Sequence, residues 1–203
     1  MKQIQLSPSV MKLEFFIGIK VSVWIVKHDQ GVLLIDSGLG IFSRAITKQI
    51  GYIGELTEIV LTHGHPDHIG GVKALSREGA IPVMVDEREL PYIFGEKSYP
   101  NRKKAQKPIA IEEVKPLDDE GLLEKGLRAF YTPGHSPGHT CFYHEAEGVL
   151  IAGDLFTSKK GELQDPVPAF TADMDLAKRS GKDVLQVISP TVVSPCHGKD
   201  VWL

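Results

Sequence analysis

The chain of 203 residues has only two cysteines, Cys141 and Cys196, and neither belongs to a CxxC pair. A disulfide framework is therefore excluded. The chain also lacks any apolar run near the roughly 18 residues that indicate a membrane span. Its first residues, MKQIQLSPSVMK, contain no apolar core of a secretory signal. From these absences we expect a soluble protein with a cytoplasmic location.

No charge of one sign dominates, since 23 Lys and Arg stand against 26 Asp and Glu, a net charge of −3. The chain therefore has no overall cationic field that would attract nucleic acid or anionic lipid. We expect a small-molecule substrate and neither a nucleic-acid nor a membrane partner, while the oligomeric state stays open. The 20 glycines and 13 prolines are too few for a low-complexity chain. Length and composition favour one globular domain over residues 1–203.

Hydrophobic periodicity predicts an α/β chain. Strands are expected at 13–19, 21–26, 31–35, 56–61, 81–85, 109–114, 127–131, 140–144, 149–152 and 191–194. Helical spacing is found at 42–50, 69–77, 87–94 and 173–187. Residues 95–108 lack periodicity and are rich in Lys and Arg, which predicts a long, locally basic loop.

The strongest chemical signal is the segment THGHPDH at residues 62–68, where a predicted strand meets a predicted helix. Imidazole and carboxylate groups are ligands suited to zinc, manganese or iron. Residues at i and i+2 of an extended chain share a face, so His63 and His65 should form one pair. Asp67 and His68 should form another. The loop therefore has the ligands to serve two metal ions.

A closed two-metal site needs more ligands, and three candidates stand at the ends of later predicted strands. They are His135, Asp154 and His197, each beside a turn rich in glycine or proline. Asp154 directly follows an apolar strand, where an unpaired charge would be costly. We therefore predict that these three residues complete the site.

Taken together, these segments resemble the metallo-β-lactamase superfamily, and the resemblance spans nearly the whole chain. The matching segments are IDSG at 35–38, HxHxDH at 63–68, TPGHSPGH at 132–139, GDLF at 153–156 and CHG at 196–198. They occur in the family's order. The resemblance implies an αββα sandwich of two mixed β-sheets with helices on the outer faces, and a binuclear metal site along one edge.

The resemblance also implies a ligand set for two divalent ions, with zinc favoured and manganese or iron allowed. The nucleophile that the resemblance implies is a hydroxide that bridges the ions. Divalent metals lower the pKa of bound water, and they also polarise the carbonyl that the hydroxide attacks. Asp67 is a candidate for orienting that hydroxide. The first ion would be held by His63, His65 and His135, the second by Asp67, His68 and His197, and Asp154 would bridge both.

Two further residues are candidates for contacts behind the ligands. Asp36 lies beside the site in this family's fold and could fix a ligand histidine, with an ordinary Asp-Ser-Gly turn as the alternative. His139 is a candidate for the same kind of contact or for a structural one. Cys196 is not expected to be a ligand, because the adjacent His197 already fills that place.

Two features could shape the substrate pocket. Lys159 and Lys160, together with the basic loop, could meet an anionic substrate, although solvated surface stretches would look the same. Tyr92, Phe94 and Tyr99 could form an apolar lid, or they could anchor the loop to the core.

Differences from known subfamilies exclude some of the reactions that the chain could catalyse. Asp154 stands where the best-known class B β-lactamases have cysteine, which argues against antibiotic hydrolysis. Only six residues follow His197, so we expect no helical domain for glutathione of the glyoxalase II kind. We therefore predict a metal-dependent hydrolase that cleaves a small ester, thioester or lactone. The alternatives are a mononuclear-iron persulfide dioxygenase, a phosphodiesterase or nuclease, and a non-catalytic metal-binding protein.

Overall fold

The computed structural model describes residues 1–203, and two mixed β-sheets form its centre. The first sheet contains seven strands in chain order, with the bounds β1 (Lys2–Gln5), β2 (Val10–Phe16), β3 (Lys20–His28), β4 (Gly31–Ile35), β5 (Leu56–Val60), β6 (Val83–Val85) and β7 (Lys115–Pro116). It is antiparallel from β1 to β4 and parallel from β4 to β7.

The second sheet is built from the C-terminal part of the chain. Its strands are β8 (Leu127–Tyr131), β9 (Thr140–His144), β10 (Val149–Gly153), β13 (Val192–Pro195) and β14 (Val201–Trp202). They lie in the order β14-β13-β10-β9-β8, and only the β10–β13 pair is parallel. A separate hairpin joins β11 (Thr157–Lys159) to β12 (Glu162–Gln164).

The helices are short apart from the last one. Their bounds are α1 (Ser43–Ile50), α2 (Pro66–Ile69), α3 (Val72–Leu75), α4 (Leu90–Ile93), α5 (Asp119–Glu124) and α6 (Met174–Val187). Single 3-10 turns occur at Gly40–Phe42, Glu87–Glu89, Glu145–Glu147 and Pro168–Phe170. No helix combines the length and the apolar character needed to cross a membrane.

The main core lies between the two sheets. One continuous cluster of buried apolar side chains draws on both, for example Val23 of β3 and Phe142 of β9. β3 is buried at six consecutive positions, from Val21 to Val26, as expected of a strand covered on both faces. A second cluster packs α6 against the other face of the second sheet. The predicted αββα sandwich is confirmed.

The predicted strand at 109–114 is wrong. Ile109, Ile111 and Val114 are buried in the main cluster, yet the segment has no strand pairing and β7 begins only at Lys115. Its alternation reflects loop side chains that fill the core. The basic loop at 95–108 is confirmed, since it contains no helix or strand.

The predicted helix at 69–77 is interrupted. α2 ends at Ile69 and α3 begins at Val72, because the backbone N–H of Gly71 donates to Gly38 O at 3.0 Å instead of continuing a helix. Five short features were not predicted: β1, β7, α5, the β11–β12 hairpin and β14. They are at most six residues long and mostly exposed, so they carry little hydrophobic pattern.

Candidate metal centre

The carboxyl ends of five strands bring the predicted site residues to one edge of the sandwich. Asp36 follows β4, the 62–68 segment follows β5, and the 132–139 segment follows β8. Asp154 follows β10 and His197 follows β13. All seven predicted ligands therefore meet at one edge, although they are up to 134 positions apart in the chain.

The first group of ligand atoms consists of three imidazoles and one carboxylate. His65 Nδ1 lies 2.9 Å from His63 Nε2 and 3.0 Å from His135 Nε2. Asp154 Oδ2 lies 3.4 Å from His135 Nε2. All four ligand atoms lie within 4.8 Å of one another, and all four residues are buried. The group has the size and the donors of a metal site.

The second group shares Asp154 with the first. Asp154 Oδ1 lies 3.4 Å from His68 Nε2, and Asp154 Oδ2 lies 3.2 Å from His197 Nε2. Asp67 Oδ2 is 3.2 Å from His197 Nε2 and 3.8 Å from His68 Nε2. Asp154 therefore stands between two adjacent sets of ligand atoms, as a bridging carboxylate would.

The four residues whose ligand atoms lie within 4.8 Å of one another in the second group are His68, Asp154, Cys196 and His197, so this set contains Cys196 and not the predicted ligand Asp67. The Cys196 Sγ accepts from the backbone N–H of Ser22 at 3.3 Å and donates to Ser22 O at 3.6 Å, so β3 already engages the thiol. The Asp67 carboxylate has no backbone partner and points at His197. The geometry favours Asp67 over Cys196 as the third side chain of this group.

The tautomer of His63 follows from its hydrogen bonds. Thr62 Oγ1 lies 2.9 Å from Asp36 Oδ2 and must donate to that carboxylate, so it accepts the Nδ1–H of His63 at 3.0 Å. The Nε2 atom of His63 therefore presents a lone pair to the site. Thr62 also donates its backbone N–H to Asp36 Oδ1 at 2.8 Å, which fixes the whole arrangement.

His135 is oriented in the same way by a threonine from another segment. Thr171 Oγ1 donates to Val167 O at 2.9 Å and accepts from His135 Nδ1 at 3.2 Å. The Nε2 lone pairs of His63 and His135 thus both point at His65 Nδ1. One N–H at His65 Nδ1 could pair well with only one of these two lone pairs, whereas a metal ion accepts a lone pair from each of the three rings, so the first group fits a metal ion.

The second group also fits a metal ion. His68 Nδ1 donates to Asp36 Oδ2 at 2.7 Å, and His197 Nδ1 donates to Lys20 O at 2.5 Å. The Nε2 atoms of both rings are therefore left for the site. His68 Nε2 and Asp154 Oδ1 are buried atoms with no hydrogen-bond partner. Buried polar atoms rarely lack a partner, and a metal ion would satisfy both.

Burial keeps the three imidazoles of the first group neutral. It lowers the pKa of His63 and of His135 well below the ordinary histidine value, and it lowers the pKa of His65 to about 4. Neutral imidazoles are the form that binds a metal. These rings are therefore ready for an ion at neutral pH.

The second group is more acidic, and its histidines take up protons. Burial lowers the pKa of His68, but Asp36, Cys196, Asp154 and Asp67 together outweigh burial, and the net pKa is raised well above the ordinary value. For His197, burial is again outweighed, here by Cys196, Asp154 and Asp67, and the pKa rises to about 12. Negative charge thus makes this group attractive to a cation, either a proton or a metal ion.

The two predicted supporting residues both contact ligand residues. Asp36 is buried behind His68 and adopts φ 60°, an uncommon conformation for a residue other than glycine. His139 Nε2 accepts from the backbone N–H of Asp154 at 3.2 Å, and its Nδ1 donates to Thr132 Oγ1 at 2.9 Å. Burial lowers the pKa of His139 to about 3, consistent with an accepting Nε2.

Sequence reasoning missed Glu89, a fully buried carboxylate that joins the two histidine loops. Its Oε2 accepts from Gly64 N at 3.0 Å and from Tyr99 Oη at 2.7 Å. Its Oε1 accepts from Ser136 Oγ at 2.6 Å and from Gly138 N at 2.7 Å. No sequence pattern marks Glu89, because its four partners come from three separate segments.

Lys12 is a second residue that the sequence did not mark. Its fully buried Nζ donates to Pro195 O at 2.8 Å and to Gly198 O at 3.3 Å, on both sides of His197. It also pairs with Asp200 at 2.9 Å. Lys12 therefore ties the turn that carries His197 to the first sheet.

An apolar cleft of about 430 Å³ opens onto the two groups. Its floor includes His65, Asp67, Asp154 and His197, and its walls are Ile17, Ile19, Val21, Leu39, Pro66, Arg102, Val167 and Phe170. Half of the lining residues are hydrophobic. The cleft matches the lower range of small-molecule pockets, about 300–1,000 Å³.

The four predicted substrate contacts do not line this cleft. Tyr99 is buried, with its ring 4.8 Å from the ring of His65, and Tyr92 stacks on Tyr99 at 4.7 Å. These contacts agree with the alternative that the tyrosines anchor the basic loop to the core. Lys159 and Lys160 border a separate hollow of about 680 Å³ that also reaches His197.

A sandwich of two mixed sheets with paired His and Asp groups at one edge defines a class of metal-binding α/β proteins. Residues 17–197 match the family model of the metallo-beta-lactamase superfamily, and the chain belongs to that superfamily. The predicted class, a metal-dependent hydrolase, is confirmed by two relatives from Bacillus subtilis that are probable metallo-hydrolases, 35% and 30% identical to this chain.

Three similar proteins were compared with the chain. The probable metallo-hydrolase YybB of Bacillus subtilis is 35% identical over 201 residues, which cover 97% of this chain and 91% of that protein. The crystal structure of TTHA1623 in a di-iron-bound form has a TM-score of 0.71 at 27% identity, with 92% of each chain covered. An atrochrysone carboxyl ACP thioesterase of Aspergillus fumigatus is 37% identical over 136 residues, 66% of this chain and 28% of that protein.

Proposed function

We propose that the chain is a binuclear hydrolase that cleaves a small ester, thioester or lactone. One observation carries the proposal: two adjacent groups of His and Asp ligand atoms share Asp154 at the floor of an apolar cleft. We further propose that it acts as a single domain, residues 1–203, on a small molecule in the cytoplasm. The proposed ions are zinc, although the related TTHA1623 structure is described as di-iron-bound.

Each side chain has a proposed task. Two divalent ions, when bound, lower the pKa of a water molecule and polarise the scissile carbonyl. The proposed ligands are His63, His65, His135 and Asp154 for the first ion, and Asp67, His68, His197 and Asp154 for the second.

Asp67 is also placed to orient the attacking water. Burial raises its pKa, but His68 and His197 outweigh burial and lower the pKa to about 2. The carboxylate is therefore ionised at neutral pH and accepts hydrogen bonds. We propose that it accepts one from the attacking water.

The cleft supports a small acyl substrate over a polymer. A nucleic-acid groove needs several cations along its length, whereas Arg102 is the only Lys or Arg in this cleft. The name of the Aspergillus fumigatus relative includes "thioesterase", which supports the thioester option.

The test is hydrolysis by metal-loaded protein of a panel of aryl esters, thioesters, lactones and bis(4-nitrophenyl) phosphate. We expect turnover of at least one acyl substrate and a loss of at least about 100-fold in kcat/KM for Asp67→Asn. Lys73→Ala, an exposed change in α3, is the control. Activity on the phosphodiester alone would replace this proposal with a phosphodiesterase.

The remaining alternatives differ in their metal and in oxygen use. A persulfide dioxygenase would hold one iron and consume oxygen with glutathione persulfide, which an oxygen electrode detects. A non-catalytic metal-binding protein would hold its ions and turn over nothing in either assay.

A further inference from the structure

Arg102 differs from the other basic residues of its loop, because it alone lines the cleft beside the metal groups. Its guanidinium carbon lies 5.4 Å from the centre of the Phe170 ring, in the range of a cation–π contact. Its side chain makes no ion pair or hydrogen bond in the structure. Arg88, by comparison, also stacks on a ring, that of Tyr131, but pairs with Asp86 at 2.8 Å.

The segment that carries Arg102 is tied to the metal-binding loops. The backbone N–H of Arg102 donates to Tyr99 O at 2.8 Å, and the Tyr99 hydroxyl donates to the buried Glu89. Farther along the loop, Gln106 Nε2 donates to Gly64 O at 2.7 Å, between two ligand histidines. The backbone at Arg102 is thus anchored, and its exposed guanidinium lines the cleft with unused N–H donors.

Phe170 is fixed from the other side of the cleft. It ends the 3-10 turn Pro168–Phe170, and the next residue, Thr171, contacts the ligand His135 at 3.2 Å. Beside it, Val167 continues the apolar wall, and Ile17 and Ile19, in the turn between β2 and β3, form another part of the wall. The positive charge of Arg102 thus faces a cleft whose other walls are mostly apolar.

We propose that Arg102, stacked on Phe170, binds a carboxylate carried by the substrate away from its scissile bond. The planar guanidinium offers parallel N–H donors that match the two oxygens of a carboxylate. The preferred substrates are then esters or thioesters with a short apolar chain that ends in a carboxylate. This inference rests on the proposed hydrolase function and names its substrate class.

Two matched esters test the proposal. Mono(4-nitrophenyl) adipate carries a carboxylate, while 4-nitrophenyl hexanoate has the same six-carbon acyl chain without it. We expect Arg102→Gln to lower the ratio of their kcat/KM values by about tenfold, mainly through KM for the adipate. Arg102→Lys should retain part of the preference, and Lys103→Ala, a neighbouring exposed change, should leave the ratio unchanged.

The proposal is overturned if Arg102→Gln leaves the ratio unchanged. It is also overturned if Lys159→Ala/Lys160→Ala lowers the ratio and Arg102→Gln does not, because the anion would then lie in the other hollow.

A binding measurement separates this inference from ester hydrolysis itself. The anilides of the same two acids resist cleavage, and calorimetry on metal-loaded protein gives their Kd values. We expect the carboxylate anilide to bind about tenfold more weakly to Arg102→Gln, with no change for the neutral one. If neither ester is cleaved but this difference is found, the carboxylate site stands and the ester substrate is wrong. The carboxylate assignment is contradicted if the carboxylate anilide has the same Kd in the unchanged protein and in Arg102→Gln. It is also contradicted if a phosphonate analogue binds more tightly than the carboxylate anilide.

Discussion

Hydrogen bonds on the Nδ1 side orient four of the ligand histidines, and each has a different partner. The partners are Thr62 for His63, Asp36 for His68, Thr171 for His135 and Lys20 O for His197. Such contacts set the tautomer of a ligand and raise its basicity. Changes at these partners should therefore affect metal binding without removing a ligand.

Asp36→Asn tests this idea at His68. An asparagine that still accepts from Thr62 turns its NH₂ group toward the His68 Nδ1–H, so the ring loses its acceptor. We expect the second ion to bind about 10–100-fold more weakly. Metal content after dialysis should fall toward one ion per chain, while Asp29→Asn, in an exposed turn, should retain two. Unchanged content in Asp36→Asn would contradict this role.

Glu89→Gln tests the link between the histidine loops. The new amide NH₂ faces two of the four donors that the carboxylate accepts, and leaving them unpaired should cost about 2 kcal/mol or more. Urea denaturation of metal-free protein measures the loss. Glu87→Gln is the control, since Glu87 is exposed two residues away. Equal stability of the two variants would show that Glu89 does not join the loops.

Single residues differ in how well the sequence reveals them. The seven proposed ligands stand in local motifs at strand ends, so spacing and residue type suffice to find them. Glu89 and Lys12 act through partners far away in the chain, up to 186 positions for Lys12 and Gly198. Neither residue belongs to a motif, so only the structure identifies their contacts.

At the scale of elements, the end of β10 leaves no room for a side chain before Asp154. Gly153 adopts φ 51°, and a Cβ atom there would lie 2.8 Å from His139 Nε2 and 2.9 Å from Thr62 Cβ. Glycine therefore permits the strand to turn directly into Asp154. The Gly-Asp pair is a steric requirement as well as a sequence motif.

Gly153→Ala should therefore destabilise the protein by about 2–4 kcal/mol, from backbone strain plus the clash. Gly161→Ala is the matched control, because Gly161 also has a positive φ, 85°, but nothing lies within 4 Å of its Cβ position. That variant should lose about 1 kcal/mol. Thermal unfolding measures both, and an equal loss would mean that packing at Gly153 is unimportant.

Elements with a strong pattern were predicted well and those without one were not. β4, β8 and β9 have the predicted bounds, since their apolar residues form dense runs closed by turns. The 109–114 segment shows the limit, because its alternation comes from a loop that packs into the core. The β11–β12 hairpin shows the opposite case, since it is mostly exposed and its pattern carries no burial signal.

At the scale of the whole molecule, the two metal groups differ in charge state. The first group has imidazoles with lowered pKa values, whereas His68 and His197 have raised ones. In metal-free protein at pH 7 the three imidazoles of the first group are therefore neutral, whereas His68 and His197 of the second group hold protons. Only a protonated ligand must release its proton to bind a metal.

The first ion should thus bind with almost no proton release, and the second should release about two protons per ion. The affinity of the second ion should fall as pH falls, because protons compete for His68 and His197. Calorimetric titration in buffers of different ionisation enthalpy counts the protons at each step. Equal release at both steps would contradict the charge difference between the groups.

The most direct test of the central claim is metal content per chain, measured on protein purified without added metal. We predict two ions per chain in the unchanged protein and a sharp fall in His63→Ala. His28→Ala should keep both ions, because His28 lies at the other end of β3 from the site. No bound metal, together with equal stability of unchanged protein and His63→Ala, would contradict the account.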